Sequence, residues 1–299
     1  MHSGEHHFDV GRITRWMGMS GLCSESQTGT TTHRTTVAKK QSLRPTPMKI
    51  HLLTTQHRDP AAVESFWQQW GWEVVRYDNT GQPPGVGRNA ILDQFYNSTD
   101  EWLAMADDDM VLDTRRGWGE QFLREPQKLF DSIGDSITSW GVMNNIHHRV
   151  DITLRNPVLR TNWVFYRASW IGCLVFHRNT GERFYNHRTD ILEDMDWCLD
   201  QIQRGHRVAH CMNLVQQNRG GAQSTIFHDQ AERRRRYLQA KQRIAREYPG
   251  ITLTDKNRLV KTRFMNQYYQ SADWTRVDAV GPSIIIAADQ PPQFNARVS

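Results

Sequence analysis

The pattern of apolar and polar positions changes its period repeatedly along the chain, and these changes predict alternating strands and helices. Residues 49–55 form a run that predicts a first strand, and residues 60–70 have the spacing of a helix that Pro60 opens. Residues 72–77 predict a second strand, and residues 168–176 predict a buried strand whose glycine permits close approach. Strands that alternate with helices indicate an α/β fold with a mostly parallel sheet and flanking helices.

A glycine- and proline-rich segment, residues 81–89, follows the second predicted strand and leads into a predicted helix at residues 90–95. Such a segment offers unpaired backbone N–H groups and the positive end of a helix dipole, and both bind phosphate. Arg88 adds a fixed positive charge. Glycine-rich segments are common, so this one is informative because an acidic strand follows it.

Three consecutive carboxylates, Asp107, Asp108 and Asp109, lie between the apolar run 103–106 and a second apolar triplet. The run predicts a buried central strand. Like charges at the end of such a strand repel one another, and burial adds a desolvation cost. A hard divalent cation offsets both effects, since Mg²⁺ and Mn²⁺ prefer oxygen ligands. The alternative is an acidic turn facing water, although such turns rarely lie between two apolar runs.

The predicted sheet also brings together polar residues from different strands. In open α/β sheets, ligands bind outside the carboxyl ends of the strands. Thr54, Gln56, Asp78 and Asp107 all follow or end predicted strands, so we expect them at that edge.

A second acidic group opens a predicted helix at residues 193–205, whose apolar positions recur at i, i+3, i+4 and i+7 from residue 195. Glu193, Asp194 and Asp196 lie in its first turn. Acidic residues there complement the helix dipole, and this explains one or two of them. Three acids within four residues favour a further role, and Asp194 is placed to point along the helix axis into a cleft.

Composition divides the chain into four parts. We expect a disordered N-terminal tail at residues 1–47, an α/β core at 48–228, a basic helical C-terminal extension at 229–275 and a disordered tail at 276–299. Met48 is a candidate for the natural start.

The net charge of +5 is concentrated near the C-terminus. Residues 219–263 hold twelve Lys and Arg residues against four Asp and Glu residues. This excess suggests that a polyanion docks there, whereas the alternative is a solvated helical face. No apolar run is long enough for a membrane span, so we expect no membrane partner. Four widely spaced cysteines, without a C-x-x-C pair, indicate a reducing, cytoplasmic setting.

These motifs, in this order, resemble the GT-A superfamily of nucleotide-sugar glycosyltransferases. The resemblance rests on the Gly-rich segment ending in Arg88 and Asn89, the Asp-x-Asp motif after a strand, the glycine-containing strand and the helix that begins Glu193-Asp194-x-Asp196. It implies a GT-A-like, Rossmann-related sheet, a divalent cation (Mn²⁺ or Mg²⁺) and a nucleotide-sugar donor, with a UDP-sugar expected.

The resemblance covers roughly residues 48–228 and implies roles on the donor side. Asp107 and Asp109 match the metal-binding motif, with Asp108 near the ribose or sugar. The middle acid departs from many members, which leaves open which two carboxylates bind the metal. The other positions that match donor-binding residues are Thr54, Gln56, Asp78, Arg88 and Asn89.

The remaining implied roles concern the base and a late histidine. Asp194 matches the base of inverting members, and Glu193 is the next candidate. His228 resembles a late metal-ligand histidine, although a lone histidine is more often structural. If the enzyme retains configuration, Asp194 has another role.

The acceptor is suggested by cations interleaved with aromatic residues, which suit bases taken out of a stack. The expected acceptor-binding residues are Trp163, Arg167, Trp170, Arg233, Arg235 and Arg236. In general character the chain is similar to phage TET-associated glycosyltransferases, which implies hydroxymethylated pyrimidines in DNA as acceptor and the cytoplasm of a phage-infected bacterium as location. Two alternatives stay open: a GT-A enzyme acting on a glycan, lipid or small molecule, and a non-enzymatic DNA-binding protein with an incidental ion site.

Overall fold

The structure, a computed structural model, describes most of the chain after the N-terminal tail. The described residues are 47–56, 58–115, 117–144, 162–187, 190–219, 229–260 and 284–287. The predicted N-terminal tail, most of the C-terminal tail and His228 therefore lie outside the described residues.

Eleven strands are found in the described residues. They are β1 (Lys49–Thr54), β2 (Glu73–Asp78), β3 (Trp102–Asp107), β4 (Met110–Leu112), β5 (Ser139–Asn144), β6 (Trp163–Arg167), β7 (Leu174–Arg178), β8 (Val208–Asn218), β9 (Thr252–Leu253), β10 (Leu259–Val260) and β11 (Ile284–Ala287). The main sheet has the order β11-β6-β8-β5-β7-β3-β1-β2, with β4 paired to β8. Along this order, β2/β1, β1/β3, β5/β8 and β6/β11 are parallel, and three pairs are antiparallel. An α/β fold with a mostly parallel central sheet is thus confirmed.

Six helices connect and flank these strands in the described part of the chain. They are α1 (Ala61–Gln69), α2 (Pro84–Tyr96), α3 (Gly119–Arg124), α4 (Pro126–Ile133), α5 (Glu193–Gln203) and α6 (Gln230–Glu247). None of the helices described has the length and hydropathy to cross a bilayer.

Helix α2 begins six residues earlier than the pattern predicts. Pro84 occupies the first helical position, where its fixed φ suits a helix and its missing N–H is not needed. Position 87, inside this helix, is a glycine. A Cβ at this position would collide with Leu53 of β1 and with the side chain of Asn79. The glycine therefore lets the helix pack closely against the sheet.

The predicted strand at residues 168–176 was wrong in its first half, because the chain has to change its place in the sheet there. Strand β6 pairs with β8, whereas β7 pairs with β3 and β5, so the connection must cross two strands. Gly172, at φ +82°, turns the chain, and β7 begins only at Leu174. Gly141 of β5 permits the crossing, since a Cβ there would collide with the carbonyl of Ile171.

Aromatic side chains fill the layer between the sheet and α3 and α4. The rings of Trp140 and Phe176, on neighbouring strands, stack with centroids 4.1 Å apart. Phe122 of α3 packs edge-on against Phe176 at 5.3 Å. Such pairs contribute about 0.5–1.5 kcal/mol each beyond their burial, so they fix these helices on the sheet.

The basic helix α6 is anchored to the core at its C-terminal end. Ala240 and Ile244 are fully buried. The hydroxyl of Tyr248 donates to the backbone carbonyl and the carboxylate of Asp196, at 3.0 and 2.8 Å. These contacts hold the helix against the first turn of α5.

A buried polar network surrounds His177 of β7. The hydroxyl of Ser139 donates to Gln201 Oε1 at 2.6 Å and therefore accepts from His177 Nδ1 at 2.7 Å. Tyr96 donates to Nε2 at 2.9 Å. A neutral imidazole satisfies all of these bonds, and burial, with a smaller contribution from His206, lowers the pKa of His177 to about 3.

We therefore expect the protein to lose stability below pH 6.5. The unfolded chain binds a proton at His177 below that pH, while the folded chain stays neutral down to about pH 3. The free energy of unfolding should fall by up to about 1.4 kcal/mol per pH unit from this residue alone. Urea unfolding between pH 7 and 5 checks this. In the matched variant His177→Gln, which cannot titrate, the slope should be smaller; an unchanged slope would assign it elsewhere.

Candidate functional site

The order of the strands reverses at β1. The chain passes from β1 to β2 on one side and then to β3 on the other. Ligands of open α/β sheets bind at the carboxyl ends of the strands at such a reversal. Asp107 is the last residue of β3 and lies opposite Leu53 of β1, so the acidic triplet begins at this edge.

A cavity of about 380 Å³ opens at the same edge. The residues that line it include Thr55, Arg58, Asn79, Gln82, Pro84, Arg88, Asp107, Asp108, Trp170, Cys173, Glu193, Asp194, Arg233 and Tyr237. The two acidic motifs, one after β3 and one at the start of α5, thus share one cavity.

Arg88 joins these two motifs. Its guanidinium donates to Asp107 at 3.0 Å and to Glu193 at 2.8 Å. Arg88 and Glu193 are buried, whereas Asp107 is partly open to the cavity. Burial opposes the charge of Arg88, but the two carboxylates outweigh it and raise its pKa well above the usual range.

Asp108 closes the loop that follows β1. Its carboxylate accepts from the backbone N–H of Thr55 at 3.0 Å, from the Thr55 hydroxyl at 3.3 Å and from Arg58 at 2.9 Å. Asp108 is almost fully buried, so these bonds replace the water that burial removes.

Asp109 lies next to this loop and is also buried. Its Oδ2 pairs with Arg58 at 2.7 Å and accepts from Asn218 at 3.0 Å. Its Oδ1 is buried without a hydrogen-bond partner among the described residues. Burial raises the pKa of Asp109, and the charges of Asp107 and Asp108 add to the shift, while Arg58 opposes it.

Helix α5 begins from a residue in the left-handed region. Leu192 has φ +60°, which costs a non-glycine residue on the order of 1–2 kcal/mol. It lines the cavity directly before Glu193 and Asp194. Strain of this kind persists where the surrounding structure holds it, and here it turns the two acids into the cavity.

Asp194 is held from two sides. The indole N–H of Trp170 donates to its Oδ2, and the backbone N–H of Met195 donates to its Oδ1 at 2.8 Å. Burial raises the pKa of Asp194, and Arg88 and Trp170 oppose the shift. Burial likewise raises the pKa of Glu193 to about 7, against the opposing charge of Arg88. Burial thus raises the pKa of both carboxyl groups.

Several residues predicted to hold the donor are used elsewhere. Thr54 donates to the carbonyl of Tyr77 at 3.1 Å, and the backbone N–H of Gln56 donates to the Thr80 hydroxyl at 3.1 Å. The carboxylate of Asp78 is exposed, and hydrogen bonds from the Thr80 hydroxyl and the Thr80 backbone N–H lower its pKa. These three residues lie at the predicted edge but are absent from the cavity wall.

Asn89 has a structural role in the described contacts. It accepts from the backbone N–H of Asn186 at 2.7 Å and donates to the Asn186 carbonyl at 3.0 Å. This pair ties α2 to the segment before α5. Arg88, the residue before it, faces the cavity.

The predicted acceptor-binding residues separate into two groups. Trp170 and Arg233 line the cavity. Trp163 is buried and packs edge-on against Trp118 at 4.7 Å, as a core residue does. Arg167 ends β6 and is half-buried. The remaining two, Arg235 and Arg236, pair with Glu232 at 2.7 Å on the exposed part of α6.

In the described ranges, no group of three or more His, Cys, Asp or Glu residues is arranged to hold a metal ion. Mg²⁺ commonly uses one or two carboxylates and completes its shell with water and substrate phosphates. Asp107 opens to the cavity, whereas Asp109 is not among the residues that line it, and its Oδ1 is buried. The cation site at Asp107 and Asp109 therefore stays a prediction, and the predicted ligand His228 lies outside the described residues.

Sequence patterns missed the residues that complete the cavity, namely Thr55, Arg58, Asn79 and Tyr237. Arg58 is the counter-ion of two acids that lie about fifty positions away in the chain. One signal was present, since three consecutive acids need positive charge nearby. That requirement does not say which arginine supplies it.

Comparisons with known proteins add little. No family model and no curated protein matches the chain. Among matching solved structures is A197 from STIV, with a TM-score of 0.40 and 13% sequence identity over 72% of this chain and 94% of that one.

Proposed function

We propose that this protein is a nucleotide-sugar-dependent glycosyltransferase of the GT-A type. The observation that carries the proposal is the convergence of two acidic motifs, since Asp107 and Glu193 bind the same buried Arg88 in one cavity. The cavity lies at the reversal of strand order, where ligands of such sheets bind. Buried acids with pKa values shifted toward neutrality are typical of catalytic sites.

The donor side is supported by the charges at the cavity wall. Arg58 and Arg88 line the cavity; each is paired with two carboxylates, and a planar guanidinium also suits phosphate oxygens. The first turn of α2 reaches the cavity at Pro84 and adds the positive end of a helix dipole. A cation held by Asp107 and Asp109 would offset the charge that develops on the departing diphosphate.

Asp194 is our candidate base. The acceptor hydroxyl oxygen attacks the anomeric carbon, the bond from that carbon to the diphosphate breaks, and its electron pair leaves with the diphosphate. The hydroxyl proton passes to the Asp194 carboxylate, which the Trp170 indole keeps in place. A positioned base contributes about 10²–10⁴-fold to such a step. In an enzyme that retains configuration, Asp194 would have a different role.

For the acceptor we propose the hydroxymethyl group of a pyrimidine in DNA. A base in a duplex cannot reach a cavity of this kind and has to leave the stack. Trp170 and Tyr237 line the cavity next to Arg233, and aromatic side chains beside a cation support an unstacked base. The excess of positive charge on residues 219–263 supports a polyanionic acceptor.

The proposal predicts sugar transfer to hydroxymethylated DNA. We expect mass spectrometry to detect a hexose on oligonucleotides that contain 5-hydroxymethylcytosine after incubation with Mn²⁺ and a panel of nucleotide sugars. Matched oligonucleotides with 5-methylcytosine should stay unmodified, because they lack the hydroxyl. Transfer to a glycan or lipid panel alone would reassign the acceptor. The absence of transfer and of donor hydrolysis, with DNA binding retained, would favour a non-enzymatic DNA-binding protein.

A further inference from the structure

Helix α6 carries two kinds of positive charge. Arg235 and Arg236 are paired with Glu232 at 2.7 Å, so their charge is largely neutralised. Within the described ranges, Arg234 and Lys241 have no carboxylate partner; the Lys241 ammonium donates to the Asn257 carbonyl at 3.1 Å. The helix therefore presents unneutralised charge along one stripe.

That stripe forms the wall of a groove of about 510 Å³. The helix residues that line the groove are at positions 230, 233, 234, 235, 237, 238 and 241, and all but 235 recur at the three- and four-residue spacing of a single helix face. Arg234 and Lys241 lie seven residues apart, or about 10 Å along the helix axis. Three nucleotides of a B-form strand span about the same length.

The groove and the candidate active-site cavity share two residues, Arg233 and Tyr237. The guanidinium of Arg233 lies 5.7 Å from the centroid of the Tyr237 ring. Tyr237 is half-buried, so the ring is held at the junction. An aromatic ring with a cation beside it is a platform for a base, whatever its sequence.

We propose that this stripe is the track for a DNA strand that carries the acceptor. Arg234 and Lys241 bind backbone phosphates about three nucleotides apart along the groove, and Tyr237 stacks the base that enters the cavity next to Asp194. This inference rests on the proposed function, since it names the acceptor strand of the same site. It also distinguishes the arginines of α6: Arg236 does not line the groove, and Arg235 lines it but is paired with Glu232, so the track uses neither.

The phosphate part is tested by the double variant Arg234→Gln/Lys241→Gln, without donor present. Fluorescence anisotropy with a labelled single-stranded oligonucleotide should show about tenfold weaker binding at 100 mM salt. The slope of log K against log salt should fall by about 1.4, because each phosphate contact on a single strand contributes about 0.7. The matched control Arg246→Gln/Lys256→Gln removes the same two charges from exposed positions beyond the groove. Equal losses in both variants would overturn the track.

The stacking part is tested by Tyr237→Leu and Tyr237→Phe. Leucine should weaken binding by about fivefold or more, and phenylalanine should keep it, because stacking needs the ring and not the hydroxyl. The loss with leucine should disappear on an abasic oligonucleotide. A loss that persists there would overturn the stacking role.

Heparin, an anionic glycan, tests whether the groove binds a polyanion other than DNA. If the track variant loses heparin and oligonucleotide binding equally, and Tyr237→Leu changes neither, the surface binds anionic glycans and the proposal fails. These readouts need no sugar transfer. A track that behaves as expected while hydroxymethylated DNA stays unmodified would instead contradict the proposed function.

Discussion

Replacement of Asp194 by asparagine should lower the rate of sugar transfer by about 10²–10⁴-fold. Asparagine keeps the shape of the side chain, and its one remaining oxygen can accept from the Trp170 indole or from the Met195 N–H, though not from both. What it loses is the ability to accept the proton of the acceptor. Because the lost interaction belongs to the transition state, kcat should fall while the affinity for the nucleotide sugar stays within a few-fold.

Transfer rates at saturating donor, with donor affinity from calorimetry, check this expectation. The pH profile adds a second readout. In the unmodified protein the rate should rise with pH through the raised pKa of the base, since only the ionised carboxylate accepts a proton. The variant Trp170→Phe keeps the Asp194 carboxylate but removes its hydrogen bond from the indole. We therefore expect a smaller fall in the transfer rate than in Asp194→Asn.

Normal turnover by Asp194→Asn would show that Asp194 is not the base and only complements the helix dipole. Glu193 would then be the next candidate. Its pKa of about 7 predicts a rate that rises between pH 6 and 8, and Glu193→Gln would remove that rise.

Replacement of Asp107 by asparagine should have the second large effect, a loss of transfer of about 10²–10³-fold. This is the range found when one preorganised electrostatic contact to the reacting charge is removed. Asp107 is partly exposed at the cavity, and Arg88 keeps its second partner, Glu193, in the variant. The fold should therefore survive while the affinity for Mn²⁺ and the donor falls.

The measurements are Mn²⁺ titration by calorimetry and transfer with and without EDTA. Full turnover by Asp107→Asn in the presence of EDTA would contradict the proposed role of this acid in donor binding. Asp109→Ala is a weaker test, because Asp109 also pairs with Arg58 and Asn218. Removal of the Asp109 carboxylate would lower the stability of the fold as well as any transfer activity. A thermal melt of the variant is therefore needed to separate the two effects.

The local features of the fold were predictable because they depend on neighbouring residues. The first two strands, α1 and α5 follow their periodicity, and Pro84 and Gly87 explain the earlier start of α2 only once β1 is seen to pack against it. The crossing between β6 and β7 was not predictable from residues 168–176. An apolar run looks the same whether it stays beside one strand or crosses two.

The sequence by itself determined that two acidic motifs would end one strand and open one helix, since periodicity and like charge are local properties of the chain. Only the tertiary structure decided what neutralises them. Arg88 lies 19 residues from Asp107 and 105 residues from Glu193, and contacts over such separations depend on strand order and register. The same reason applies to α6, where charge alone did not distinguish Arg233 at the cavity from Arg236 on Glu232. Packing of Ala240 and Ile244 on the core sets the rotation of that helix, and the rotation selects which charges face the groove.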